Sequence, residues 1–468
     1  MTGTRSHWLP DRWINHAKRP GVAYRTHINH NEMMQGGRLY RANVLHTPRP
    51  DRFEIVERGY VHVDAQGYVA GVYGELPAGL GECEVEDFGD TLLIPAMNDL
   101  HVHAPQYRNQ GMAMDLELLP WLSTYTFPEE ARYSDRRYAE VMYRRFVRDL
   151  WRHGTMRASI FATIHKETAE LLATILDEAG MGGLIGVVGM DTGCPDNLRN
   201  STEEVVNDTL SLIDHTSGMP LVSAIVTPRF VPSCSCHMLT ELGKTAQRYR
   251  IPVQSHLSEN QGEVALVRKL FPDSSCYGAV YDRFGLFGQT PTLMAHCCYT
   301  DGEELELMKK NHVFVVHCPI SNCDLGSGIA PIRRFLDAGL PVALGSDMAG
   351  GHDLSLFRVM QSAIQMSKLL YARTEGECSF LSLSEAFHLA TKSGGAFFGK
   401  VGCFEPGYSF DALVIDDSEL NRHDDGLTGS AYTVRQRMER YIYLGDDRQI
   451  VHRFCQGREI TEPRLSDL

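Results

Sequence analysis

Eight short apolar runs, at residues 91–97, 155–161, 184–190, 221–226, 252–255, 292–295, 313–316 and 341–344, constrain this chain more than any other feature. Between them lie amphipathic segments such as 129–153, 167–179, 238–249, 260–270 and 302–310, with apolar residues at helical spacing. Short, nearly continuous apolar runs are strands buried on both faces, which requires helices packed over a parallel sheet. Eight strand–helix units in roughly 310 residues predict an α/β fold, a (β/α)8 TIM barrel rather than an open sheet. In such a barrel the chemistry gathers at the C-terminal ends of the strands, so the polar residues that follow each run matter most.

The flanks read differently. Residues 38–45, 54–63 and 68–73 alternate as strands do, with turn signals at Pro48-Arg-Pro50 and Ala65-Gln-Gly67. Residues 411–415, 440–444 and 450–456 are again β-like. The expected division is a β-rich part at 1–90, the barrel at 91–404 and a second β-rich part at 405–468. The two ends are expected to build one small composite β-sandwich domain; two independent appendages are the alternative.

The 45 basic and 59 acidic residues leave a net charge of -14, which argues against a phosphate-backbone partner and so against nucleic acid. The 12 cysteines form no Cys-x-x-Cys pair, and reduced buried thiols imply a reducing compartment. No apolar run reaches the length of about 18 residues that a membrane span needs. Met1 to Gly21 is polar without an apolar core, unlike a secretory signal, and Ser466-Asp-Leu468 lacks the basic residue of a peroxisomal address. A cytoplasmic location is expected. Leu242-Gly-Lys-Thr245 lacks the upstream glycine of a phosphate-binding loop. The Pro-Cys-x-x-Cys of cytidine-type deaminases is absent.

His101 and His103 follow the first run, two apart and therefore on one side of a strand. His256 follows the fifth run, His296 the sixth and Asp347 the eighth. Imidazole nitrogens with a carboxylate suit zinc or iron(II), and three histidines with one aspartate leave a position open for water. Glu259, three residues beyond His256, is placed to move protons of that water; its alternative is a glutamate at a helix N-terminus. No lysine ends the fourth run, where Thr227-Pro-Arg-Phe230 stands, so one metal is expected rather than two.

These residues resemble the amidohydrolase superfamily in its mononuclear deaminase branch, and within it the guanine deaminase family. The resemblance rests on Asp99-Leu-His-Val-His-Ala-Pro-Gln-Tyr107, Leu118-Leu-Pro-Trp-Leu-Ser-Thr-Tyr-Thr-Phe-Pro128, Phe161-Ala-Thr-Ile-His165, Val226-Thr-Pro-Arg-Phe230, Gln254-Ser-His-Leu-Ser-Glu-Asn260, His317-Cys-Pro-Ile-Ser-Asn322, Leu325-Gly-Ser-Gly328 and Gly345-Ser-Asp-Met-Ala-Gly-Gly351. It covers residues 90 to 400 well and the termini weakly. Cys323-Asp324 departs from the more apolar residues of that loop. The resemblance implies metal ligands at His101, His103, His256 and Asp347, one zinc per chain or else iron. It implies catalytic roles for Glu259, Asp347 and His296. It places guanine against Gln106, Arg229 and Phe230, beside His256 and Glu259, and implies a homodimer. Guanine presents O6 and N7 as adjacent acceptors, which an arginine can grip and an aromatic face can stack on. A related aminohydrolase acting on another purine, a pterin or a triazine is the alternative.

Overall fold

The structure, a computed structural model, describes residues 37–376, 378–421 and 431–465. The readings made of Met1 to Gly21 and of Ser466 to Leu468, and the first 36 residues of the expected N-terminal part, lie outside the described residues.

The chain opens with β1 (Arg38–Arg49), β2 (Arg52–Val63), β3 (Val69–Tyr73) and β4 (Glu84–Pro95). Strand β1 pairs antiparallel with β2 and parallel with β4. The parallel α/β part follows as β5 (Met97–His103), β6 (Thr155–Phe161), β7 (Gly182–Gly186), β8 (Val188–Gly189), β9 (Val222–Ala224) and β10 (Thr227–Pro228). It continues as β11 (Val253–Leu257), β12 (Thr292–His296), β13 (Phe314–His317) and β14 (Val342–Leu344). Two four-stranded parallel sheets result, in the orders β5-β6-β7-β9 and β11-β12-β13-β14, beside a short β8–β10 pair. A parallel bridge from Val226 to Val253 joins one sheet edge to the other. At the far edges Asp347 N donates to His101 O at 2.8 Å and His103 N to Met348 O at 3.1 Å. Every residue of β5, β6, β11, β12 and β13 is buried, as strands covered on both faces require.

The chain then returns to its beginning. Strands β15 (Ala412–Ile415), β16 (Ile450–Cys455) and β17 (Arg458–Glu459) extend the first sheet to seven strands, in the order β17-β16-β15-β4-β1-β2-β3. Both ends of the chain thus share one sheet. Where a two-sheet sandwich was expected, the described strands of the two ends form a single sheet, with Tyr40, Phe410 and Phe454 packed on it.

Three other expectations change. The first apolar run is two strands: Leu92–Pro95 belong to β4 and pair with β15, and the parallel part starts only at Met97. Ala96 N donates to Asp411 O at the changeover, and this stretch is buried from both layers, so no polar residue marks the break. Residues 440–444 are not a strand. They end the helix Val434–Leu444, whose Thr433 cap exchanges hydrogen bonds with Gln436 and whose Val434, Met438, Tyr441 and Ile442 make one buried face. The expected helix 129–153 begins only at Arg136, where the Asp135 carboxylate accepts from the backbone of Arg137 and Tyr138.

Candidate active site

All five expected metal-type residues converge at the C-terminal ends of the parallel strands. His101 and His103 end β5, His256 lies in β11, His296 closes β12 and Asp347 follows β14. All are buried. Ser258, His296, Cys297 and Asp347 have positive φ, between 47° and 72°, so the chain turns sharply as it leaves these strands. Asp347 Oδ1 lies 3.2 Å from His101 Nε2 and 3.5 Å from His103 Nε2. The donor atoms of His101, His103 and Asp347 lie within 4.8 Å of one another, and so do those of His101, His256 and His296.

The atoms fit a cation. His256 Nδ1 donates to the Arg229 carbonyl oxygen at 2.6 Å, so its Nε2 carries a lone pair. That lone pair faces His103 Nε2 at 3.2 Å. His101 Nε2 and His296 Nε2 are buried without a hydrogen bond. Buried nitrogens that turn toward one point without partners are costly unless an ion sits among them. Burial holds the His103 and His256 rings well below the ordinary histidine range, so they stand as neutral donors. Burial alone would raise the Asp347 carboxyl; the surrounding histidines more than reverse this and hold it far below the carboxylate range.

Glu259 is also buried, 3.5 Å from His296 Nε2, with Ser327 Oγ donating to it at 3.2 Å. Burial, and then the Asp347 charge, push its carboxyl up to about 8. A carboxyl so shifted can exchange protons near neutral pH. It is not a helix cap: the helix Gln261–Leu270 is capped by Asn260, paired with Glu263. His296 Nδ1 donates to Asn322 Oδ1 at 2.9 Å, which leaves Nε2 toward Glu259 and Asp347.

A cavity opens onto these groups. Gln106, Arg229 and Phe230 line it, as do His256 and Glu259. Arg229 differs from the free grip expected of it. Nη1 and Nη2 donate to the Glu130 carboxylate at 2.7 and 3.0 Å, and the guanidinium sits over the Phe127 ring. Of five guanidinium N–H groups, two bind Glu130 and three remain. Gln106 Nε2 donates to the same carboxylate at 3.0 Å, while its Oε1 accepts from Ala349 N at 3.2 Å.

Glu130 carries no sequence signal, being one of two adjacent glutamates just beyond the Leu118–Pro128 motif. Leu118, Trp121 and Leu122 of the same motif form an apolar wall of the cavity and had been given no role. His352 and Asp324 pair with each other at 2.6 Å, away from the metal-type cluster, so the departure at Asp324 has a local partner. His317 is buried, and burial lowers its ring to about 3.

Buried imidazoles and a carboxylate at the ends of parallel strands, open to a cavity that also holds a raised carboxyl, are the arrangement of a metal-dependent hydrolase. The amidohydrolase family profile matches residues 92–460. A guanine deaminase of Dictyostelium discoideum is 36% identical over 444 residues, covering 90% of this chain and 98% of its own. The Homo sapiens guanine deaminase is 35% identical over 81% of this chain and 85% of its own. Among solved structures, a guanine deaminase from C. acetobutylicum with bound guanine superposes with a TM-score of 0.88 at 48% identity, covering 91% of this chain and all of that one. The chain belongs to the amidohydrolase family and, within it, to the guanine deaminases.

Proposed function

We propose that this protein is a guanine deaminase, hydrolysing guanine to xanthine and ammonia. One observation carries the reading: the cavity that holds Glu259 and the His/Asp cluster is walled by an arginine, a glutamine amide and a phenylalanine. Those groups match a 6-keto purine, with donors for O6 and N7 and an aromatic face for the ring.

His101, His103, His256 and Asp347 would hold one zinc ion per chain, with iron(II) the alternative for the same ligand types. Such an ion supplies Lewis acidity, making water acidic enough to react near neutral pH. The chain's own groups do the rest. Arg229 and Gln106 donate to the purine edge and Phe230 packs on its ring, bringing C2 toward Glu259. Glu259 takes a proton from the attacking water and passes it to a purine ring nitrogen. Asp347 and His296 orient the water. Glu259 then takes the second proton from the hydroxyl now bonded to C2 and delivers it to the amine, which leaves as ammonia as the C2 carbonyl forms. The apolar wall of Leu118, Trp121 and Leu122 keeps bulk water off the reacting atoms.

The reading includes a closed (β/α)8 barrel, supported by the hydrogen bonds and bridge that join the two parallel sheets at both edges. It includes the division at 90/91 and 404/405, although β4 carries the terminal sheet on to Pro95. It includes a homodimer and a cytoplasmic location. No helix among the described residues is long and apolar enough to cross a membrane, and all 12 cysteines are free.

The test is purified protein mixed with guanine, followed to xanthine by ultraviolet absorbance, with metal measured on the same sample. Conversion with one ion per chain is expected. Bound metal without turnover would overturn the guanine reading and direct the search to pterins and triazines.

A further inference from the structure

Glu130 touches both polar groups of the purine wall. It sits on the short helix Phe127–Ala131, only 1% exposed, and its two oxygens receive Nη1 and Nη2 of Arg229 and Nε2 of Gln106. It is too far behind these side chains to line the cavity itself. We propose that Glu130 sets the charge selectivity of this pocket: by neutralising Arg229 and fixing the Gln106 amide, it makes the wall a reader of neutral 6-keto purines that does not retain an anionic product. The inference rests on the guanine reading above.

Three considerations support it. A carboxylate can only accept, so Gln106 must turn its amide nitrogen to Glu130 and its oxygen to Ala349 N. The amide therefore cannot flip, and the pocket sees one N–H and one lone pair in fixed places. Second, a buried Arg–Glu pair is weak evidence for stability, since apolar side chains of like volume often serve as well. An ion pair kept in the wall of a binding cavity therefore points to a use in binding. Third, deamination changes the acidity of the ligand. Water replaces the exocyclic amine by a carbonyl, which leaves a ring N–H between two carbonyls. That imide ionises more readily than guanine, so the product is more anionic than the substrate. An unpaired guanidinium in a dry cavity would hold the product anion; one already paired offers hydrogen bonds and no net charge.

The experiment is calorimetric titration of the metal-loaded protein and of Glu130→Gln with xanthine and with hypoxanthine. One pH is used, at which xanthine is largely its monoanion and hypoxanthine is neutral. In Glu130→Gln the affinity for xanthine relative to hypoxanthine is expected to rise by about tenfold or more. A structural role alone would weaken both ligands together and leave their ratio unchanged, which would overturn the proposal. Wild-type protein gives a second arm should the variant not fold: a preference for xanthine over hypoxanthine beyond about tenfold would show an unneutralised arginine and sink the idea. Wild type that binds both purines with little preference but does not turn over guanine would remove the activity and leave this role of Glu130 standing. Binding of neither purine by wild type overturns both.

Discussion

Two buried arginine–carboxylate pairs in this molecule look alike and do different things. Arg157 in β6 donates to Asp411 through Nε at 2.6 Å and Nη2 at 3.3 Å, at the joint between the parallel strands and the terminal sheet. Ser409 Oγ and Gln456 N also donate to that carboxylate, at 2.6 and 2.8 Å. Arg229 grips Glu130 end-on, through Nη1 and Nη2, where Arg157 binds Asp411 side-on, through Nε and Nη2. At the joint the carboxylate is surrounded by donors that tie the two layers together. At the pocket the carboxylate is also held by donors, and both donor side chains, Arg229 and Gln106, line a cavity. A polar network that ties two layers together is a clamp, and one whose members also line a cavity is a recognition surface.

The comparison breaks most visibly through the chemistry. Glu259→Gln is expected to lower kcat by about 10³-fold, the scale of a lost proton shuttle, with metal content and melting temperature unchanged. Activity within about tenfold of wild type in steady-state assays would remove Glu259 from that role. The joint should show the reverse. Asp411→Ala is expected to cost about 3–5 kcal/mol in urea unfolding, because it strands Arg157, while kcat of the folded enzyme holds. A loss of kcat with unchanged stability would make the joint part of the site.

The joint also has a pH signature. Burial pushes the Asp411 carboxyl up, and Arg157 more than reverses this, holding it below the ordinary carboxylate range. A carboxyl with a lowered folded value contributes stability above its unfolded value and loses it as pH falls through the folded one. The stability gap between wild type and Asp411→Asn is therefore expected to be full above about pH 4 and to close below it. A gap that persists unchanged into strong acid would contradict the pairing.

A smaller effect is expected behind the metal-type cluster. Asn322→Ala frees His296 Nδ1, and a loss of about 10–100-fold in kcat or metal affinity is the expected scale for such an orienting partner. Kinetics indistinguishable from wild type would show that His296 holds its orientation unaided. The smallest effect belongs to the terminal sheet, where the Arg38 and Glu84 side chains are 47% and 71% exposed. Arg38→Ala should change stability by at most about 1 kcal/mol in the same unfolding assay.

Much of the site could be read in advance because its residues stand next to strand signals. His101, His103, His256, His296 and Asp347 each close or follow an apolar run, and a parallel α/β arrangement brings such ends together. Elements flanked by clear caps were also legible: the helix Cys236–Tyr249 and strand β6 fall within two residues of their expected bounds. The failures have local causes. Residues 91–97 were one run because the chain there is buried by two layers at once. Residues 440–444 read as a strand because a five-residue window of apolar and aromatic side chains cannot distinguish periods of two and 3.6. The Thr433–Gln436 cap lay just outside that window.

The amino-acid sequence by itself determined the α/β class, the strand ends that carry the metal-type residues, and the family to which they belong. Those follow from periodicity and from residue types at fixed local offsets, which no distant contact needs to supply. Only the tertiary structure decided that Arg229 is paired, that Glu130 is its partner 99 residues away in sequence, and that Gln106 shares the same carboxylate. It also decided that the terminal strands meet in one sheet across more than 300 residues of chain. Pairing of this kind depends on which side chains lose water together, and separation along the chain carries no information about that.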